Sequence, residues 1–250
     1  MLAHRGASST HPENTLEAMH AAVDVGADFV ELDVRLTADG ELVVIHDFDV
    51  SRTTLGTGLI HQMTLSQVKA LDASGERGLG LEVPTFEEVL RDLSGRVGID
   101  VEIKNLPGEP AFDSPREAVA QECVRLIRET GFEGPLIASS FNWLPIERVR
   151  EIAPGIPTGF ITSSLIDPWA VLVYARTHGH EFILPQAPAI FEAGQRFIDA
   201  AHDAGVRVGT WTVDDGEAVE SLFAMGVDAI ATNDPAMAVP IRDRLRERSP

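Results

Sequence analysis

The stretch DFVELDV at residues 28–34, answered by GIDVEIK at residues 98–104, decides the fold. Each alternates apolar and polar residues with the period of two that a strand imposes. Outward from this pair, short apolar runs recur at 2–5, 135–139, 157–161, 181–184, 206–212 and 228–232. Longer amphipathic segments separate them and predict helices near 14–25, 85–93, 115–130, 144–152, 168–178, 190–204, 215–225 and 235–247. Asn14 reads as an N-cap with Glu17 three residues on, and Asp167-Pro168 as a cap followed by proline at the first helical position. Gly26, Gly131, Gly179, Gly205 and Gly226 stand where helices should stop. Eight strand–helix units without a Gly/Ser-rich linker predict one α/β domain over 1–250, a TIM (β/α)8 barrel.

The rhythm breaks once. After residue 34 comes Asp39-Gly40, a hairpin signal, and then an alternating run at 42–46. This reads as an antiparallel return strand that brings His46 back toward Asp33. Residues 47–83, rich in Thr, Gly and Ser with one short helix candidate at 65–72, read as a rim insertion after the second barrel strand.

Composition narrows the partners. A formal charge of −19 argues against nucleic acid or an anionic membrane surface, since both call for a basic face. No apolar run reaches the roughly 20 residues that span a bilayer, and the N-terminus lacks the pattern of a secretory leader. With Cys123 the only cysteine, no internal disulfide can form, and a cytoplasmic location is expected. An anionic substrate would need local compensation by a metal or a few placed cations. Lys104, one of only two lysines, stands out inside an apolar strand. No pattern assigns an oligomeric state.

In a TIM barrel the chemistry sits at the carboxyl ends of the strands. The polar residues expected there are His4-Arg5, then Glu31 and Asp33 on one face of the second strand, and His46-Asp47 at the end of the return strand. Asp100, Glu102 and Lys104 share one face of the third, and Trp211 and Thr232-Asn-Asp close the circuit. Three inward carboxylates at one mouth repel each other unless a cation sits between them. All-oxygen ligation favours Mg²⁺ or Ca²⁺. Ordinary ion pairing with Arg5, Arg35 and Lys104 is the alternative. His11, His20, His61, His178, His180 and His202 read as surface or structural histidines.

The order His4-Arg-Gly, Pro12-Glu-Asn-Thr15, Glu31-Leu-Asp-Val34, His46-Asp47 resembles the signature of the glycerophosphodiester phosphodiesterase family. Val101-Glu-Ile-Lys104, Ser140-Phe141, Trp211-Thr-Val213 and Gly226-Val-Asp228 continue the likeness across nearly the whole chain. The resemblance implies a TIM barrel with an insertion after the second strand. It implies metal-dependent hydrolysis of a small-molecule glycerophosphodiester to an alcohol and sn-glycerol 3-phosphate. By it, Glu31, Asp33 and Glu102 would hold one divalent cation, and His4 and His46 would be the general acid and base. Arg5 and Lys104 would contact phosphate, Glu13 would lie near the substrate, and Phe141 and Trp211 would border the alcohol pocket. Phospholipase D-like action on lysophospholipids and a non-catalytic phosphodiester-binding barrel are the other readings. Two departures stand out: Asp214-Asp215, where members often have asparagine, and Thr232-Asn-Asp-Pro in place of a more usual Thr-Asp. An acidic pair there suggests a cationic headgroup such as choline.

Overall fold

The computed structural model describes residues 1–248; the last two residues of the expected 1–250 domain lie outside the described residues. Eight parallel strands close on themselves: β1 (Leu2–His4), β2 (Phe29–Leu36), β4 (Gly98–Ile103), β5 (Leu136–Ser140), β6 (Thr158–Thr162), β7 (Phe182–Pro185), β8 (Arg207–Thr210) and β9 (Ala229–Thr232). β1 pairs with both β2 and β9, which completes the barrel. The eight-unit reading is therefore the TIM barrel expected, with each strand within a few residues of its predicted run. β3 (Leu42–Val44) pairs antiparallel with Val34–Leu36 of β2. It follows the Asp39-Gly40 turn and takes the edge of β2 left free beyond Glu31, the partner of the last β1 residue, His4.

Local signals explain the helices. α3 (Phe86–Leu93) begins in a complete capping box between Thr85 and Glu88 and buries Phe86, Val89, Leu90 and Leu93 on one face. α6 (Pro168–His178) starts at the Asp167 cap, with proline in its first turn, and stops at Gly179 in the left-handed region. Two expectations are corrected. The helix expected over 190–204 is two, α7 (Ala187–Ala193) and α8 (Gln195–Asp203). They break at Gly194, whose φ of 72° and ψ of −175° suit glycine alone. The cap of α1 (Leu16–Asp24) is Thr15 and not Asn14; the Thr15 hydroxyl accepts from the Ala18 N–H. Asn14 is drawn away by the site described below.

Two apolar clusters fill the space between strands and helices, one around β2, β4 and α3, the other around β7, β8 and α8. The insertion at 47–83 holds three 3₁₀ turns and a short helix, α2 (Leu65–Lys69). It has a small core of its own, in which Val50, Ile60, Val68 and Val83 pack on Val43 and Ile45 of the hairpin. The insertion is thus anchored to the strand that delivers His46.

The turn after β1 is tightly specified. Arg5 and Gly6 both have positive φ, 57° and 82°. A Cβ at Gly6 would lie 2.5 Å from the backbone carbonyl carbon of Ala18 at the start of α1. Gly6→Ala should therefore destabilise the fold by at least about 2 kcal/mol, read from the urea midpoint; an unchanged midpoint would show that the turn can relax.

Candidate active site

Strand register assembles the site. β1 sets His4 beside Glu31, and β4 sets Asp100 beside Glu31 and Glu102 beside Asp33. Side chains two apart on one strand share a face, so Glu31, Asp33 and Glu102 meet at the mouth of the barrel. A ligand oxygen from each lies within 4.8 Å of the others, and all three residues are buried. Among the described residues this is the one such cluster of metal-capable side chains.

The cations expected nearby divide unevenly. The Lys104 ammonium lies 2.9 Å from Asp33 Oδ1 and also bonds Glu102. Arg5 Nε is 3.2 Å from Asp33 Oδ2, and Asn14 donates to the same oxygen at 2.8 Å. This is why Asn14 leaves its helix-capping place, with φ at 59°. Burial by itself would raise the Asp33 carboxyl, but Lys104, Arg5 and His46 outweigh it and hold Asp33 ionised. Glu31 is the opposite case. Burial, then the charges of Asp33 and Glu102, push its carboxyl well above the usual range. Burial also raises Glu102 against the pull of Lys104.

Ordinary ion pairing therefore accounts for part of the cluster only. Arg35 takes no part in it, binding Glu109 and the His46 carbonyl instead. Glu31 accepts the Arg5 backbone N–H at 3.0 Å on Oε2, while its Oε1 is buried with no hydrogen-bond partner. An orphaned carboxylate oxygen among two further carboxylates fits a divalent cation bound through oxygen. Asp100, one layer deeper, accepts from Ser139 at 2.7 Å and meets no arginine; burial pushes its carboxyl up to about 7.

Both expected histidines line the same cavity of about 100 Å³. His4 uses Nδ1 toward Asn233 Oδ1 at 2.7 Å, and its Nε2 lies 3.9 Å from Glu31 Oε2. His46 uses Nδ1 toward Asp47 at 2.7 Å. Burial lowers the pKa of both, more than the neighbouring Asp33 restores. Each is thus biased toward the neutral imidazole, with Nε2 not engaged by the partner of Nδ1. Asp47 is held in turn by Arg52 of the insertion, which also binds Glu13 at 2.6 and 2.8 Å. Glu13 closes the ring on Arg5 at 2.9 Å. The far wall is apolar, formed by Ile161, Leu184, Ala229 and Ala231 beneath Phe141 and Trp211, whose rings meet edge to face at 5.2 Å.

The structure thus brings together the ten residues singled out for roles in the site, gives Asp47 and Asn233 of the expected rim a histidine partner each, and adds Asn14 and Arg52. The acidic pair at 214–215 behaves differently from the expectation. Asp215 caps α9 (Gly216–Ala224), and Asp214 accepts three hydrogen bonds from Thr232 and Asn233. Both carboxylates are thus engaged in hydrogen bonds within the protein, and neither is among the residues lining the cavity. His20, His178, His180 and His202 each pair with a carboxylate outside this cavity.

The class defined by this fold and mouth is a TIM-barrel hydrolase, built at the face where such barrels do chemistry. Comparison with known proteins names it more closely. The pattern of the Glycerophosphoryl diester phosphodiesterase family matches residues 4–237, and the chain belongs to that family. It is 36% identical over 240 residues to a glycerophosphodiester phosphodiesterase of Caldanaerobacter subterraneus subsp. tengcongensis, covering 94% of each chain. It is 33% identical to a putative glycerophosphodiester phosphodiesterase of Bacillus subtilis, again over 94% of each. Among solved structures it is similar to an Oleispira antarctica phosphodiesterase in complex with the product sn-glycerol-3-phosphate. There the TM-score is 0.85 at 28% identity, over 97% of this chain and 96% of that one. Among the described residues no helix is long and apolar enough to cross a membrane.

Glu31 gives a direct test of the carboxylate cluster. A carboxyl whose folded pKa is raised loses stability as pH rises through that pKa. At neutral pH in chelator, Glu31→Gln should therefore raise protein stability, by on the order of 1 kcal/mol. With Mg²⁺ or Ca²⁺ present the gain should shrink or reverse, because a ligand oxygen is lost. Thermal melts of both proteins with and without cation check this; a gain equal in both conditions would remove Glu31 from the cation site.

Proposed function

We propose that this chain hydrolyses glycerophosphodiesters to an alcohol and sn-glycerol 3-phosphate with the help of one divalent cation, Mg²⁺ or Ca²⁺. The observation that carries the reading is the buried trio Glu31, Asp33 and Glu102 beside two histidines with free Nε2 atoms. The named product in the Oleispira structure supports the substrate class.

A phosphodiester resists hydrolysis because its charge repels nucleophiles and its alkoxide leaves poorly. Glu31, Asp33 and Glu102 would hold the cation, which when bound supplies Lewis-acid polarisation of phosphoryl oxygens. Arg5 and Lys104 contribute positive charge at the same mouth and orient the phosphate. They offset, locally, the field of a protein carrying −19. Glu13 keeps Arg5 and Arg52 aligned on the rim. Phe141 and Trp211 wall the space for the alcohol part of the substrate.

His4 and His46 divide the proton work. One, as the neutral imidazole, takes a proton at its Nε2 from the attacking water or substrate hydroxyl. The other, as the imidazolium, delivers its Nε2 proton to the leaving alkoxide oxygen. Where a substrate hydroxyl attacks, water opens the cyclic phosphate in a second step. Asp47, backed by Arg52, keeps the His46 ring oriented through Nδ1.

The assay is release of sn-glycerol 3-phosphate from glycerophosphocholine. EDTA should abolish it and a single added cation restore it. His4→Ala and His46→Ala should each lower kcat by on the order of 10²-fold or more. Full activity in chelator would sink the metal reading, and near-normal turnover in either variant would sink the acid–base one.

A further inference from the structure

We propose that Asn233 and Asp214 are positioning residues that lock His4 into one tautomer, with its ring proton on Nδ1. The inference rests on the acid–base reading of His4 given above. It begins with a hydrogen bond whose direction is otherwise ambiguous. An asparagine side chain offers a carbonyl on one side and an NH₂ on the other, almost alike in shape. His4 Nδ1 lies 2.7 Å from the Asn233 side-chain oxygen. If the amide were turned over, His4 would have to accept there and carry its proton on Nε2.

Asp214 removes the ambiguity. Its Oδ1 accepts from the Asn233 backbone N–H at 2.7 Å and from the Thr232 hydroxyl at 3.0 Å. Its Oδ2 accepts from Asn233 Nδ2 at 2.6 Å. An ionised carboxylate can only accept, so the Asn233 NH₂ must face Asp214 and its carbonyl must face His4. Ser8 leaves the choice to Asp214, because its single hydroxyl proton has both the His4 carbonyl at 2.7 Å and Asn233 Oδ1 at 3.0 Å within reach. His4 Nδ1 is therefore a donor. The bare nitrogen of the neutral ring is Nε2, which is the one beside the carboxylate trio.

Asp214 and Asn233 meet side chain to side chain, so the group at 214 sets which face of the 233 side chain turns to His4. Exchanging amide and carboxylate between the two positions keeps an oxygen opposite His4 Nδ1, whereas an amide at both does not.

That reciprocity supplies the experiment. In Asp214→Asn, the new carbonyl stays on the Asn233 N–H and the Thr232 hydroxyl, and the new NH₂ faces Asn233. Asn233 must then turn over and present NH₂ to His4, imposing the wrong tautomer. Such an error of tautomer behind a catalytic histidine can cost several powers of ten. We expect kcat on glycerophosphocholine to fall on the order of 10²-fold or more, with KM within about threefold. Asp214→Asn/Asn233→Asp restores an acceptor opposite Nδ1 and should return kcat to within about tenfold of the parent. His4→Ala is measured alongside. Activity in His4→Ala would defeat the acid–base reading itself. An inactive His4→Ala with an unaffected Asp214→Asn, or a double variant no better than the single one, would overturn the positioning role. Nitrogen-15 NMR of the parent protein settles the point even if a variant fails to fold. The neutral His4 ring, identified by its loss in His4→Ala, should carry its proton on Nδ1; a proton on Nε2 would overturn the proposal.

Discussion

Three carboxylates buried within 4.8 Å of one another are the constraint on which the rest of this molecule turns. Charges desolvated in this way are tolerated only with partners, and the partners come from around the first half of the barrel. Lys104 follows β4, Arg5 follows β1, and Asn14 precedes α1; all three converge on Asp33. The turn at residues 4–6 takes up left-handed backbone geometry to deliver the Arg5 side chain and its backbone N–H to the cluster. Two cations facing three acids still leave Glu31 uncompensated, and that imbalance is what a bound divalent cation would answer.

The rim insertion belongs to the same electrostatic system. Its first 3₁₀ turn carries Arg52, which spans Asp47 and Glu13 and thereby links the setting of His46 to that of Arg5. The two halves of the mouth are tied by a chain of charge-assisted bonds, stronger and shorter than neutral ones. An insertion with its own small core provides a rigid base for that chain. On the opposite side small and aliphatic residues leave the cavity apolar. The mouth thus has one charged wall and one apolar wall.

Much of this was legible in the chain because it is written at short range. The period of two in β2 and β4 places Glu31, Asp33, Asp100 and Glu102 on the inner face, and the rule that barrel chemistry lies at strand carboxyl ends does the rest. Helix stops at Gly131 and Gly179 and the cap at Asp167 are equally local. What escaped were residues whose role depends on a partner far along the chain. Asn14 read as a helix cap, yet its side chain bonds Asp33 nineteen residues away, and Thr15 supplies the cap. Arg52 meets Glu13 at a separation of 39 residues, and His4 meets Asn233 at 229. The break at Gly194 was hidden because α7 and α8 together keep an amphipathic pattern across it.

The sequence by itself determined the barrel, the strand that interrupts its rhythm, and which carboxylates, histidines and cationic side chains gather at its mouth. It could do so because periodicity and strand ends are properties of neighbouring residues. Only the tertiary structure decided which cation serves which carboxylate, which oxygen of Glu31 is left without a partner, and that Asp214 bonds Asn233. Those outcomes depend on distances of a few ångströms between loops that no local pattern relates, and buried charge makes each such distance count.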